Sequence, residues 1–254
     1  MNKEYRNITA EEVFFIFKEE HRICSHFDPE ADPTVVLTMD SSIEDWRYSM
    51  DLLKWEKLSQ YLNKEFEIQP NKEEWIEALC PAKEKTMRNV CELISHHARL
   101  EVIKPIKLFG KQCLSASLFR SIEKNLSNRG VDTSGLKPSS KIEPFLKSNF
   151  GEFIEQINKN FTGVIPEIKM GKTKLDKVDG YSWFLFMITL IASFFWNSIW
   201  YIPAVFLLIA LTIGYFSNKE FNTKDGMMTI PEIETFRDLI ERIIREKYTT
   251  QQHL

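Results

Sequence analysis

Along most of the chain, apolar positions recur at helical spacing, and one long segment breaks the pattern. Thr9-Ala10-Glu11-Glu12 opens a first helix in capping-box style, with Thr9 as the cap and Glu12 three positions on. Phe14, Phe15, Ile16 and Phe17 make that helix apolar over most of its surface. Asp28, Pro29, Asp32 and Pro33 then begin a long loop, in which Val35 to Leu37 is a short strand or an extended run packed on the core. From Asp51, Leu52, Trp55, Leu58, Leu62 and Phe66 recur at helical spacing, with Leu53 and Tyr61 widening the stripe. Pro70-Asn71 ends it, a shorter helix covers Lys72 to Leu79, and Pro81 stops that one. Thr86 opens a further helix carrying Val90, Leu93 and Ile94.

Glu101 to Lys111 reads as an extended link. A new helix from Ser115 to Leu126 puts Leu118, Phe119, Ile122 and Leu126 on one face, and Asn128-Arg129-Gly130 ends it. Another helix runs from Ile142 to Phe161 with Phe150, Phe153, Ile154, Ile157 and Phe161 as its stripe. Near the end, Thr235-Phe236-Arg237-Asp238 repeats the cap arrangement before Leu239, Ile240, Ile243 and Ile244.

The break is Gly180 to Asn218, which holds no Asp, Glu, Lys or Arg. It predicts a two-helix transmembrane hairpin over 181–217, with spans from Trp183 to Trp196 and from Ile199 to Phe216 and a turn at Asn197-Ser198. A single tilted span and a hydrophobic hairpin in solution are the alternatives. Lys169, Lys172, Lys174 and Lys177 precede the segment, and Lys219 and Lys224 follow it. The positive-inside bias then predicts a multi-pass inner-membrane protein with both termini cytoplasmic. The opening MNKEYRNITAEEVFF has no apolar signal-peptide core, which fits that placement. Without ionisable residues in the spans, anchoring is favoured over transport.

The expected fold is thus mostly α, with small helical bundles plus the membrane hairpin. Residues 1–100 form a first helical domain, 101–114 a linker and 115–170 a second helical unit, which 229–247 completes. A formal net charge of −3 and a pI near 6.0 without a basic stripe give nucleic-acid binding no electrostatic support. Cys24, Cys80, Cys91 and Cys113 lack CxxC spacing and read as free thiols.

Candidate chemistry is sparse. Cys24, His26 and His96 are the group offered for an enzyme reading, with Cys91 and His96 as a second Cys-His pair; with His21 and His97 they do not make a convincing zinc set, so no metal is expected. Carboxylate pairs such as Glu73 and Glu74 read as caps and solvated faces. No glycine-rich loop cradles phosphate. Trp46, Arg47, Tyr48, Met50 and Trp55 form a candidate partner-binding patch, the alternative for both tryptophans being the core of a small domain.

Three segments echo one another in order. Leu58 to Phe66 matches Phe153 to Phe161, Ser41-Ser42-Ile43-Glu44 matches Ser139-Ser140-Lys141-Ile142-Glu143 with one insertion, and Thr86 to Ile94 matches Thr235 to Ile243. They suggest two related units, the second split by the apolar segment. The repeated layout resembles acyl carrier proteins. Asp51-Leu52-Leu53 falls where that family has Asp-Ser-Leu. The family's serine carries a phosphopantetheine arm, and Leu52 has no oxygen to carry one. Ser49 and Ser148 are the only nearby hydroxyls, as atypical attachment sites. The resemblance therefore implies a degenerate carrier-like domain without a cofactor. The expected role is non-enzymatic, holding a protein partner at the lipid bilayer. The alternatives are a carrier modified at an atypical serine and a membrane enzyme using Cys24, His26 and His96.

Overall fold

The computed structural model describes residues 4–50, 54–108, 110–171 and 227–249, with isolated helical positions between 181 and 212. The chain divides into two compact units. One comprises Met1–Ser140, Gly151–Glu167 and Thr235–Leu254, and the other Lys141–Phe150 and Ile168–Glu234.

The first unit begins with β1 (Tyr5–Asn7) and α1 (Ala10–Cys24), followed by α2 (Ile43–Ser49), α3 (Trp55–Phe66), α4 (Lys72–Leu79) and α5 (Met87–His97). β2 (Arg99–Glu101) pairs antiparallel with β1, placing Tyr5 opposite Glu101. β3 (Ile106–Leu108) and β4 (Lys111–Cys113) form a hairpin whose turn contains Gly110 at φ +79°, a conformation glycine adopts without strain. The region expected to be a plain link therefore carries strands, too short for an alternating pattern to show. The unit continues with α6 (Leu114–Asn128), the second half of α7 (Ile142–Phe161) and α8 (Phe236–Ile243), which runs into a π-helical turn over Ile244–Tyr248. Val35 to Leu37 is extended without strand pairing, with Leu37 buried and Val36 82% exposed.

Capping chemistry starts the helices where the sequence places them. The Thr9 N–H donates to Glu12 Oε2 at 2.9 Å and the Glu12 N–H to Thr9 Oγ1 at 3.2 Å. Thr235 and Asp238 repeat the exchange at 2.8 and 3.3 Å. α1 packs on α5, and α6 on α8. Val13, Ile16, Phe17, Trp46, Leu62, Phe66, Met87 and Ile94 fill one core. Around α8, Phe236 meets Phe153 and Phe119 edge to face, with ring centroids 6.1 and 6.4 Å apart.

One hydrogen-bond frame occurs twice in this unit. The Thr38 N–H donates to Ser41 Oγ, Ser41 O accepts from the Met87 N–H, and Met39 O accepts from the Arg88 N–H. Likewise the Lys137 N–H donates to Ser140 Oγ, Ser140 O accepts from the Phe236 N–H, and Pro138 O accepts from the Arg237 N–H. Upstream of each frame an aspartate holds a turn. Asp32 Oδ1 accepts from the Thr34 N–H and hydroxyl, and Asp132 Oδ1 from those of Ser134.

In the second unit the Ile142 N–H donates to Glu234 O at 2.9 Å, as the Ile43 N–H donates to Lys85 O in the first. Ser42 caps α2 by accepting from the Asp45 N–H. At the matching positions α7 has Lys141 and Pro144, and because proline has no N–H the cap is not needed. The run of α7 leaves helical geometry at Asn149 (φ −137°, ψ 34°). β5 (Lys169–Gly171) pairs antiparallel with β6 (Met227–Thr229). Ile142, Leu146, Ile168, Ile230 and Ile233 are buried.

Among the described residues no helix is long and apolar enough to cross a membrane. This corrects the expected fold class, which among the described residues is mostly α with three two-stranded ladders and no membrane-spanning helix, and it removes the basis for a multi-pass inner-membrane placement. The physical reason is length: Trp183 to Trp196 rises only about 21 Å as a helix, against about 30 Å of hydrocarbon. The proposed spans and their turn otherwise lie outside the described residues, apart from isolated positions such as Phe184 and Leu208.

Candidate functional site

Glu20 and Glu65 occupy buried positions of amphipathic helices. Glu20 continues the Val13, Ile16, Phe17 stripe of α1, and Glu65 follows Leu58 and Leu62 on α3. The helical repeat, which carries the apolar side chains inward, carries these carboxyls inward too, leaving them 9% and 1% exposed. No donor reaches Glu20 Oε1 or either Glu65 carboxyl oxygen. The two carboxyls are electrostatically coupled, so a charge on Glu65 makes Glu20 harder to ionise. Burial pushes Glu65 up to about 7. Burial, reinforced by the neighbouring Glu65, pushes Glu20 well above the usual carboxylate range.

A second layer surrounds the pair. Glu155, from α7, forms an ion pair with Arg129 and accepts from the Tyr61 hydroxyl at 3.2 Å. Arg129 also donates to Glu65 O at 3.1 Å. Lys159 Nζ donates to the same carbonyl at 2.8 Å and pairs with Glu67 at 3.0 Å. The Asn158 amide donates to Ile16 O at 2.9 Å. These bonds tie α7 to both α1 and α3.

Beside this cluster lies a cavity of about 180 Å³ lined by Phe17, Glu20, Cys24, Trp46, Met50, Leu58, Tyr61, Leu62, Gly151, Ile154 and Glu155. Its walls are almost wholly apolar, with Glu20 and Glu155 supplying the ionisable oxygens. No family model, curated protein or solved structure matches the chain. Its function is therefore argued from its own geometry.

The sequence candidates scatter. Trp46 is 3% exposed, with its ring 4.7 Å from that of Phe17, so it belongs to the core. Trp55 packs partly against the same core, Arg47 is half-buried, and Met50 lines the cavity. Of the proposed patch only Tyr48, 79% exposed, lies on the surface. Ser49 is 1% exposed and its hydroxyl donates to Trp46 O at 2.9 Å. Ser148 is exposed on α7, one residue before the break at Asn149. Asp51, Leu52 and Leu53 lie outside the described residues.

Cys24, His26 and His96 do not assemble into one group. Cys24 faces the cavity, the two histidines are exposed, and no hydrogen bond joins them. Burial and the Glu20 charge push the Cys24 thiol up to about 12, the opposite of what a nucleophile needs. Among the described residues no set of three His, Cys, Asp or Glu side chains is placed to hold a metal. Sequence reasoning missed Glu20, Glu65, Glu155 and Arg129. Their available signal was position: Glu20 and Glu65 sit on the apolar stripe of their own helices.

Proposed function

We propose that the chain is a non-enzymatic binding protein made of two carrier-like helical units, in which packing has replaced attachment chemistry. The observation that carries this reading is the state of its candidate reactive groups. The Ser49 hydroxyl is buried and engaged by Trp46 O, and the Cys24 thiol is held protonated. The twice-used frame at Ser41 and Ser140, both copies of which lie in the first compact unit, supports a repeated carrier-like layout. Partner recognition falls to the surface around Tyr48. The Asp32 N–H donates to Ser49 O, tying the loop that leads to Val36 to the end of the helix bearing Tyr48. Among the described residues before α3, Tyr48 and Val36 are the most exposed large apolar side chains.

The test has two arms. Incubation with coenzyme A and a promiscuous phosphopantetheinyl transferase is expected to leave the intact mass unchanged. A gain of one phosphopantetheine, mapped to Ser148 or any other serine, would establish a working carrier instead. A photo-crosslinking residue at Tyr48 is expected to give one discrete protein adduct in the native cell. The same residue at the exposed Lys57 is expected to give none, and indistinguishable patterns would remove the partner-binding role.

A further inference from the structure

We propose that the cavity bounded by α1, α3 and the second half of α7 is a binding site for a small aryl-alkyl ammonium ion. Its apolar body would lie among Phe17, Trp46, Leu58 and Ile154, and its charged head beside the carboxyls of Glu20 and Glu155. The size is right: a cavity of about 150 Å³ admits benzene, and this one, at about 180 Å³, has room for a phenyl ring with a short arm. Apolar walls with a few placed polar groups are the ordinary composition of a small-molecule site.

Charge complementarity selects the cation. Two carboxyls line the cavity's polar end, Glu20 from α1 and Glu155 from α7, and Glu65 from α3 lies behind them. The other groups facing them are Cys24, the Tyr61 hydroxyl, Arg129 and Lys159. Arg129 is engaged by Glu155 and by the Glu65 carbonyl. Lys159 is engaged by Glu67 and the same carbonyl. Neither cation donates to the Glu20–Glu65 carboxyls, and Glu20 Oε1 is buried without any donor. An ammonium N–H would supply that donor. An anion would enter beside two carboxyls, and a neutral hydrocarbon would leave Glu20 Oε1 unsatisfied. A bare metal ion is disfavoured by walls that offer it so few oxygens.

The test uses the full chain and three ligands of one shape, phenethylamine, ethylbenzene and 3-phenylpropionate, measured by isothermal titration calorimetry. Phenethylamine is expected to bind at least about tenfold more tightly than ethylbenzene, as one charge-assisted hydrogen bond allows. Its affinity should rise with pH, because burial holds the Glu20 carboxyl protonated and the ammonium favours its charged form. Glu20→Gln is expected to abolish the preference for the amine while leaving ethylbenzene binding intact, and Glu155→Gln to weaken the preference. Equal affinity for phenethylamine and ethylbenzene, a preference for the carboxylate, or no phenethylamine binding would each overturn the assignment. A preference that survives Glu20→Gln would also overturn it, by placing the amine elsewhere.

Discussion

Replacing Glu65 by glutamine should stabilise the protein, and only at neutral and higher pH. In the folded chain the Glu65 carboxyl holds its proton to about 7, against an ordinary value of 4.5. A folded-state value raised above the unfolded one means the native state binds more protons between the two, so stability falls as pH rises through that window. The contribution is intact below about pH 4.5 and lost above about pH 7. The shift corresponds to about 3 kcal/mol, and the group is buried, so solvent does not screen it. Glutamine keeps the shape and carries no charge. Urea unfolding at pH 5 should therefore give nearly equal midpoints for the two proteins. At pH 8 the variant's midpoint should lie higher by roughly 1.5 M, taking a slope of about 2 kcal/mol per molar urea. Glu12, Asp32, Glu74 and Asp132, all held below the usual carboxylate range by hydrogen bonds, titrate under this window and cancel in the difference. Parallel wild-type and variant curves from pH 5 to 8, or a variant less stable at pH 8, would refute the raised Glu65 carboxyl.

Trp46→Ala removes a buried ring packed at a tilt against Phe17 and should cost about 3–5 kcal/mol by chemical denaturation; a cost below about 1 kcal/mol would return Trp46 to the surface. Gly163 has φ +84° and lies under the Phe15 ring, where an added Cβ would meet Cζ at 3.2 Å. Gly163→Ala should therefore lower stability by about 1–2 kcal/mol, and an unchanged melting temperature would contradict that backbone. Cys24 should resist iodoacetamide at pH 8 in the folded protein and react promptly in urea, as followed by peptide mass spectrometry. Equal rates in both conditions would mean that its thiol is neither buried nor held protonated.

What could be read from the sequence depended on how local the signal was. Thr9 with Glu12 and Thr235 with Asp238 declare their helix starts within four residues, and the bounds of α4 and α7 follow from Pro70, Pro81 and the Phe stripe. The Ser41–Glu44 echo was legible too, though its inserted residue was misplaced. The hydrogen bonds equate Ser41 with Ser140 and Ile43 with Ile142, so no insertion falls between them. The three-residue ladders escaped notice because a period of two needs more positions to register. The buried carboxyls escaped for a different reason. A charge on a helix is ordinarily solvated, and only the nearby charges of Arg129 and Lys159, far away in sequence, offset the burial of Glu65. The apolar run at Gly180 misled by composition, since its two halves read as spans while each is short for the hydrocarbon it would have to cross.

The β5–β6 ladder makes the second unit an open socket for foreign sequence. Its last pair, Gly171 opposite Met227, holds the two ends of everything between them at about 5 Å, the spacing of neighbouring strands. Chain emerging from such a gate can lengthen, shorten or be exchanged at little expense, because closure entropy grows only by about 0.6 kcal/mol with each doubling of length. Selection could therefore have rewritten that intervening stretch without renegotiating the helices on either side. The same junction is where an engineer would splice a two-residue turn or a different module.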